Sequence, residues 1–202
     1  LVLTGEVDSA LADQAIIACY PDADLAGDYM CAKSSSGEFI GLQTGKYMWP
    51  LTWGIQKQGS SAQHTQEAET VSMSSCLRAD LIPIQKLFSL ALGRPIRATV
   101  GEDNNATITA VVKGYSPSLR HLQRTQRTSL SFAHEVVEHP DKPALSDSED
   151  EHDKACGVID LIKVDTDKQL GDFFTKTFAR SDFDSKLRGL GMRKIAELTG
   201  GE

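Results

Sequence analysis

The sequence predicts an α/β protein with a mixed β-sheet, and three features of the chain carry this prediction. Short apolar and β-branched segments separated by glycine and proline come first, a long segment with helical periodicity follows, and strand-like and helix-like segments then alternate. This order predicts three antiparallel strands joined to two further strands that alternate with helices. A chain of 202 residues is long enough to bury one domain core.

The first three strands are predicted from composition and turns. Ala15–Tyr20 is apolar and β-branched, and Pro21 is expected to close it. Glu38–Leu42 and Leu51–Ile55 are two further short strand candidates, and Gly45 lies between them. Strands that are separated only by turn residues favour an antiparallel meander.

The next segment has the pattern of a long helix. It runs from about Gln66 to Leu92, and Thr65 is a suitable N-cap because its hydroxyl can accept a bond from a free backbone N–H. Pro83 predicts a kink or a division into two helices. Gly93 is typical of the residue that follows a helix C-terminus.

Strands and helices alternate in the second half of the chain. Ile96–Gly101 is a fourth strand candidate, and Asn104 or Asn105 can cap the short helix after it. A longer helix is expected over residues 116–138. A last strand is predicted over 158–164, followed by a helix with one apolar face, formed by Leu170, Phe173, Phe174 and Phe178.

The predicted domain covers residues 15–180. Residues 1–14 are expected to be a connection to upstream polypeptide, because the chain begins at Leu1 and not at a methionine. Segment 140–155 has six acids against two lysines and little to bury, which predicts a flexible acidic insertion. Residues 181–202 are expected to form a C-terminal tail with weak helical character.

The composition excludes several classes of protein. The 28 acidic and 21 basic residues give a net charge of −7, which argues against a protein that simply coats nucleic acid. No apolar segment approaches the ~18 residues that cross a bilayer, so no membrane partner is expected. The cysteines are far apart and predict reduced thiols in a cytoplasmic or nuclear protein: Cys19, Cys31, Cys76 and Cys156. No nucleophile elbow and no P-loop occur.

Four acids fall at predicted strand ends or helix starts: Asp22, Glu69, Asp103 and Asp172. An acid in such a place is more often a cap or a solvated side chain, and Asp172 is expected opposite the apolar face of its helix. Acids that converge would repel one another unless cations lie between them. Mg²⁺ prefers such oxygen ligands, and two ions about 4 Å apart could act on a phosphodiester.

Seven segments of the chain form recognisable motifs in a fixed order: Tyr20–Asp28, Lys33–Gly37, Trp53 with Lys57 and Gln58, Glu67–Glu69, Glu102–Asn104, Arg120–Thr125 and Gly171–Lys176. Together they resemble the ribonuclease H domain of copia-type retrotransposon polyproteins, over roughly residues 5 to 190. The resemblance implies a ribonuclease-H-like five-stranded sheet. It also implies an enzyme that uses Mg²⁺ or Mn²⁺ to cleave the RNA strand of an RNA–DNA hybrid, beside an upstream reverse transcriptase domain.

The resemblance assigns the metal-binding and catalytic roles to Asp22, Glu69, Asp103 and Asp172. Asp24 is the alternative at the first position, and Glu67 and Glu102 are expected beside the site. The chain departs from the family at Pro21, Leu25 and Gly171, where a small hydroxyl residue, tryptophan and alanine are common. No carboxylate is lost, but a catalytically inactive module that binds nucleic acid or braces the polymerase stays open as the alternative.

Three arginines are candidates for nucleic-acid binding. Arg120, Arg124 and Arg127 have the spacing of one helix face, which fits either a stripe that follows phosphates or an ordinary solvated face. The histidines His64, His121 and His134 could assist proton transfer, although a single histidine of this kind is more often an ordinary surface or core residue. Trp49 and Trp53 could stack on a nucleotide but are expected in the core.

Overall fold

The structure is a computed structural model that describes residues 2–3, 14–27, 30–45, 47–142 and 157–193. Its strands are β1 (Val2–Leu3), β2 (Ile16–Asp24), β3 (Ser35–Thr44), β4 (Tyr47–Lys57), β5 (Ala98–Glu102), β6 (Ile159–Lys163) and β7 (Met192–Arg193). Its helices are α1 (Thr65–Cys76), α2 (Ile82–Leu92), α3 (Asn105–Lys113), α4 (Leu122–Thr125), α5 (Leu130–Val136), α6 (Asp172–Thr175) and α7 (Arg180–Gly189).

Five strands form one mixed sheet in the order β4-β3-β2-β5-β6. β2, β3 and β4 are antiparallel, whereas β5 runs parallel to both β2 and β6. The predicted fold class is thereby confirmed, since this order and these directions are those of a ribonuclease-H-like sheet. β1 and β7 pair separately as a short antiparallel ladder.

The central strand β2 continues beyond the point where we expected it to end. Pro21 does not close it, because pairing with β3 extends through Asp22↔Gly37 to Asp24↔Ser35. The parallel pairing with β5 already ends at Cys19↔Val100. Because Pro21 has no N–H, it cannot continue that ladder by donating to the Gly101 carbonyl, which accepts a hydrogen bond from the side chain of Gln169 instead.

The long helix is interrupted by a π-helical turn, Leu77–Leu81, between α1 and α2. Pro83 is the second residue of α2, directly after this turn, and its missing N–H removes one donor from the helical ladder. We expected a kink or two helices at this proline; the backbone stays helical from α1 through the π-helical turn into α2. Gly93 ends α2 with φ of 64°, the left-handed conformation that glycine adopts without strain.

The helix predicted over 116–138 is broken into shorter pieces. Residues 117–119 form a 3₁₀ turn, and α4 and α5 follow as separate helices. Arg127 lies between them with φ of 54°, a left-handed conformation that cannot continue an α-helix. Ser129 then caps α5 by accepting a hydrogen bond from the backbone of Phe132.

Helices pack on both faces of the sheet because neighbouring residues of β2 point in opposite directions. Ile17 and Cys19 lie in the core that includes Met73 and Leu77. Ala18 lies in a second cluster, together with Phe39, Met48, Leu170, Leu187 and Leu190. The last part of α7 and the residue after it, from the segment predicted to be a tail, therefore pack on the sheet.

The helix predicted after β6 is also divided. Thr166–Lys168 is a 3₁₀ turn, α6 is a single turn of α-helix, and α7 begins only at Arg180. Most of the predicted connection 1–14 and of the acidic insertion 140–155 lies outside the described residues. Within the described ranges, none of the helices has the length and apolar character that a membrane span needs.

Candidate metal centre

The site is built around Asp22, near the end of the central strand β2. Its side chain is 1% exposed, and its backbone carbonyl accepts a hydrogen bond of 2.8 Å from Ser72 Oγ on α1. Thr175 Oγ1 donates to Asp22 Oδ2. Asp22 is therefore held at its backbone by α1 and at its carboxylate by α6.

Glu69 and Asp103 reach the same place from two other elements. Glu69 lies in the second turn of α1, which packs on the sheet. Asp103 follows β5 directly, where parallel strands end at the same edge as the end of β2. The next residue, Asn104, caps α3 through its side chain. Three separate elements thus deliver one acid each.

The three carboxylates of Asp22, Glu69 and Asp103 converge. One oxygen atom from each lies within 4.8 Å of the other two. Glu69 is 4% exposed, whereas Asp103 is partly open to solvent. Like charges placed so close repel strongly when water is excluded.

Glu102 lies buried beside this group and adds to its negative charge. Its side chain is fully buried; Oε1 accepts a hydrogen bond from the backbone of Asn104, and Oε2 has no hydrogen-bond partner within the described part of the chain. Burial, followed by the charges of nearby acids, raises the pKa of Glu69 to about 10 and that of Glu102 to about 8. Burial also raises the pKa of Asp22, although Thr175 and Lys176 oppose the shift.

These residues fit a divalent cation. Oxygen ligands are those that Mg²⁺ and Mn²⁺ prefer, and the site concentrates carboxylates that solvent cannot neutralise. The carboxylate of Glu69 meets no hydrogen-bond donor among the described residues, which leaves its oxygens available to an ion. A bound cation would offset the burial and repulsion that raise the pKa of Glu69.

Asp172 lies next to the group but differs from the other three acids. It is buried and not on a solvated helix face as we expected, because α6 is one turn whose first residue faces inward. Lys176 Nζ forms an ion pair with Oδ1, and Lys186 Nζ lies 3.4 Å from Oδ2. Two lysines therefore neutralise Asp172.

Asp24, the alternative first ligand, and Glu67, expected beside the site, are not among the three acids that converge. The carboxylate of Asp24 lies against Gly27, where an added Cβ would collide with Oδ2. Glu67 is buried at the start of α1, with His121 Nε2 2.9 Å from Oε1 and the backbone N–H of Gln63 donating to Oε2. Glu67 thus secures the start of the helix that carries Glu69.

The predicted arginine stripe does not form on one helix. Arg120 follows the 3₁₀ turn and is held on Tyr115, to whose hydroxyl its Nε donates at 2.8 Å. Arg124 is exposed on α4, and Arg127 has the left-handed backbone described above. Arg127 instead lines a cavity of about 330 Å³ with Lys57, Arg78 and polar side chains.

Of the remaining candidates, His64 and His134 have structural contacts, whereas Trp53 is exposed. Trp53 is 54% exposed on β4 and not in the core as we expected, whereas Trp49 is half-buried. His134 Nδ1 lies 3.0 Å from the carbonyl of Val111 and ties α5 to α3. His64 caps α1 through its ring nitrogen, in the place we had expected for Thr65.

Three residues around the site were missed from the sequence. Gln169 is fully buried and donates to the carbonyls of Pro21 and Gly101, which fixes the loop before Asp172 against two strand ends. Lys176 and Lys186 flank Asp172. Lys176 belongs to the motif Gly171–Lys176, which was a signal for it, whereas no local pattern marks Gln169 or Lys186.

No family model matches the chain, and none of the curated proteins matches it either. Among solved structures, the chain is similar to the N-terminal RNase H domain of Rv2228c from Mycobacterium tuberculosis, determined as a fusion with maltose-binding protein. The TM-score is 0.43 at 12% sequence identity, over 86% of this chain and 97% of that one. The fold class follows from the strand order and directions given above, independently of this similarity.

Proposed function

We propose that this chain is a metal-dependent endoribonuclease that cleaves the RNA strand of RNA–DNA hybrids, within a copia-type retrotransposon polyprotein and beside its reverse transcriptase. The observation that carries the proposal is the convergence of Asp22, Glu69 and Asp103 within 4.8 Å. The ordered motifs between residues 20 and 176 support the narrower family. The wide spacing of the four cysteines along the chain supports a reducing compartment, the cytoplasm or nucleus.

The four acids Asp22, Glu69, Asp103 and Asp172 would hold two Mg²⁺ or Mn²⁺ ions. Such ions, when bound, lower the pKa of the attacking water and stabilise the charge on the leaving 3′ oxygen. The chain's own part is to orient the acids: the hydroxyl of Thr175 fixes one oxygen of Asp22. Glu69 must lose the proton that its raised pKa retains, so metal binding is expected to release protons.

The cavity that contains Arg127 is the candidate surface for the hybrid backbone. Lys57, Arg78 and Arg127 bring three positive charges to it, and Ser36 lines it one residue before Gly37, which pairs with Asp22. Positive side chains in this cavity would hold phosphates. A duplex bound in this way is recognised by its shape and its 2′-hydroxyl groups, not by its base sequence.

A non-catalytic module that binds nucleic acid or braces a polymerase is the second candidate. The observation that favours it is Asp172, since lysines lie at both of its oxygens and it is already neutralised without a metal ion. A module of this kind would bind Mg²⁺ no better than an ordinary acidic surface does.

The test is cleavage of a hybrid with a labelled RNA strand, in Mg²⁺, in Mn²⁺ and in chelator, beside a double-stranded DNA control. We expect only the RNA strand to be cut, and only with metal. Asp22→Asn and Asp103→Asn should each abolish cleavage, whereas Asp24→Asn, two residues further along the same strand, should retain it. Cleavage by Asp103→Asn at the wild-type rate would remove that residue from the site, and no cleavage by the folded wild-type chain would favour the second candidate.

A further inference from the structure

We propose that the ammonium group of Lys176 occupies the place of a second cation, so that the substrate-free chain binds one divalent ion and not two. That single ion lies on Asp22, Glu69 and Asp103. The inference rests on the proposed metal centre and adds to it how many ions the free protein takes and which residue sets that number.

The geometry places Lys176 between two acids of the site. Its Nζ forms an ion pair with Asp172 Oδ1 and lies 4.0 Å from Asp22 Oδ1. An ion bridging Asp22 and Asp172 would need the same position. The ammonium group already supplies a positive charge there.

The position of Lys176 is fixed by the local structure. Its backbone N–H donates to the carbonyl of Asp172 at 2.9 Å, which closes the single turn of α6. The preceding residue, Thr175, donates its hydroxyl to the carboxylate of Asp22. Thr175 and Lys176, consecutive residues at the end of this turn, therefore bind the carboxylates of Asp22 and Asp172. A surface lysine that pairs with a carboxylate by chance has no such support.

The opposite side of Asp172 is also occupied. Lys186 Nζ lies 3.4 Å from Oδ2 and donates at 2.8 Å to the carbonyl of Gln169, and the Lys186 side chain is only 11% exposed. Neither oxygen of Asp172 therefore needs a metal ion for charge compensation. Among the described residues, Asp22, Glu69 and Asp103 have no such pair of cations, only the single contact of Asp22 with Lys176, so a first ion would bind to these three acids.

The positive charge of Lys176 would repel a second divalent ion at this short range. The Lys176 side chain is 42% exposed. A negatively charged group at the site can therefore draw its ammonium group away from Asp172. Removal of its charge should then allow a second ion to bind between Asp22 and Asp172.

The test is to count bound Mn²⁺ by isothermal titration and by electron paramagnetic resonance of the free ion, at pH 8 without nucleic acid. We expect one ion per wild-type chain and two per chain of Lys176→Gln, with the second at least tenfold tighter than any second binding to the wild type. Lys176→Arg keeps the charge and should bind one ion. Lys168→Gln, which removes an exposed lysine paired with Asp165 instead, should also bind one.

Two ions of similar affinity on the wild-type chain would overturn the inference while leaving the metal centre in place, and this result does not depend on any variant folding. One ion on folded Lys176→Gln would overturn it as well. Absence of ion binding by the wild type would contradict both the inference and the proposed metal centre, and Asp103→Asn should reproduce that absence.

Discussion

Gly171 lies so close to Tyr20 that a Cβ built on Gly171 would stand 2.6 Å from the Tyr20 carbonyl oxygen. The same Cβ would lie 2.8 Å from the Cβ of Asp22. Alanine, which is common at this position in the family that the chain resembles, therefore does not fit here without movement of β2. The glycine allows α6 to approach the strand that carries the first acid.

Gly171→Ala should lower the free energy of unfolding by about 1–3 kcal/mol, the usual cost of overpacking a buried contact. It should also weaken Mn²⁺ binding, because the strand shifts at Asp22. Urea denaturation and metal titration measure the two effects. Gly54→Ala is the control, since its Cβ would meet only Glu38 Oε1 at 3.9 Å; equal stability of the two variants would contradict the prediction.

Gln169→Ala should cost about 2–4 kcal/mol of stability. The side chain donates at 2.9 Å to the carbonyl of Pro21 and at 3.2 Å to that of Gly101, and its loss leaves both buried acceptors unpaired. The loop before Asp172 would then be released from the sheet. Chemical denaturation tests this against Gln123→Ala, an exposed glutamine on α4; a shared unfolding midpoint would show that the buried bonds contribute nothing.

Local sequence patterns indicated where Glu69 and Asp103 lie in the fold, whereas their role as metal ligands was implied only by the resemblance to the family. The helical pattern placed Glu69 near the start of a long helix. The apolar segment before Asp103 placed this acid at the end of a strand, and Asn104 was expected to cap the helix that follows. The bonds of Gln169 could not be predicted in this way, because its partner Pro21 is 148 residues away in the chain. Such contacts arise only when the sheet is assembled.

Two failures of prediction have the same physical cause. The helix start signal at Ser116 and Pro117 favoured one helix over 116–138, yet Arg127 takes a left-handed backbone after α4, and its side chain lines a cavity with Lys57 and Arg78. Asp172 was expected opposite the apolar face around Phe173 and so outside the core, yet α6 is too short to have an opposite face and Asp172 is buried. In both places, tertiary packing decides where a helix stops, and helical spacing then gives the wrong neighbours.

His121 and Glu67 should prove energetically coupled, since the ring nitrogen lies 2.9 Å from a carboxylate that is almost fully buried. His121→Ala and Glu67→Ala should each lower the free energy of unfolding by about 1–3 kcal/mol. The double variant should lose less than the two single losses combined, by about 0.5–2 kcal/mol. A double-mutant cycle in urea measures this coupling, and strictly additive losses would mean that the contact does not stabilise α1.

The metal-free chain should lose stability as pH rises. In the unfolded chain, Glu69 and Glu102 ionise near the ordinary glutamate pKa of 4.5, whereas burial and neighbouring acids raise their folded pKa values to about 10 and about 8. The folded state therefore binds more protons between these limits. Stability is complete below pH 4.5 as far as these groups are concerned, and falls by up to roughly 1.4 kcal/mol per pH unit for each carboxyl above it.

Glu69→Gln should remove its share of this slope, so that in chelator at pH 8 the variant is more stable than the wild type. Mg²⁺ should reverse that order, because the cation stabilises the ionised carboxylate and the glutamine cannot provide it. Urea denaturation between pH 5 and 8, with and without Mg²⁺, measures both effects. Glu135→Gln, on the exposed side of α5, should follow the wild type throughout. A wild-type stability that rises between pH 5 and 8 in chelator would mean that Glu69 and Glu102 are ionised in the folded chain without any metal.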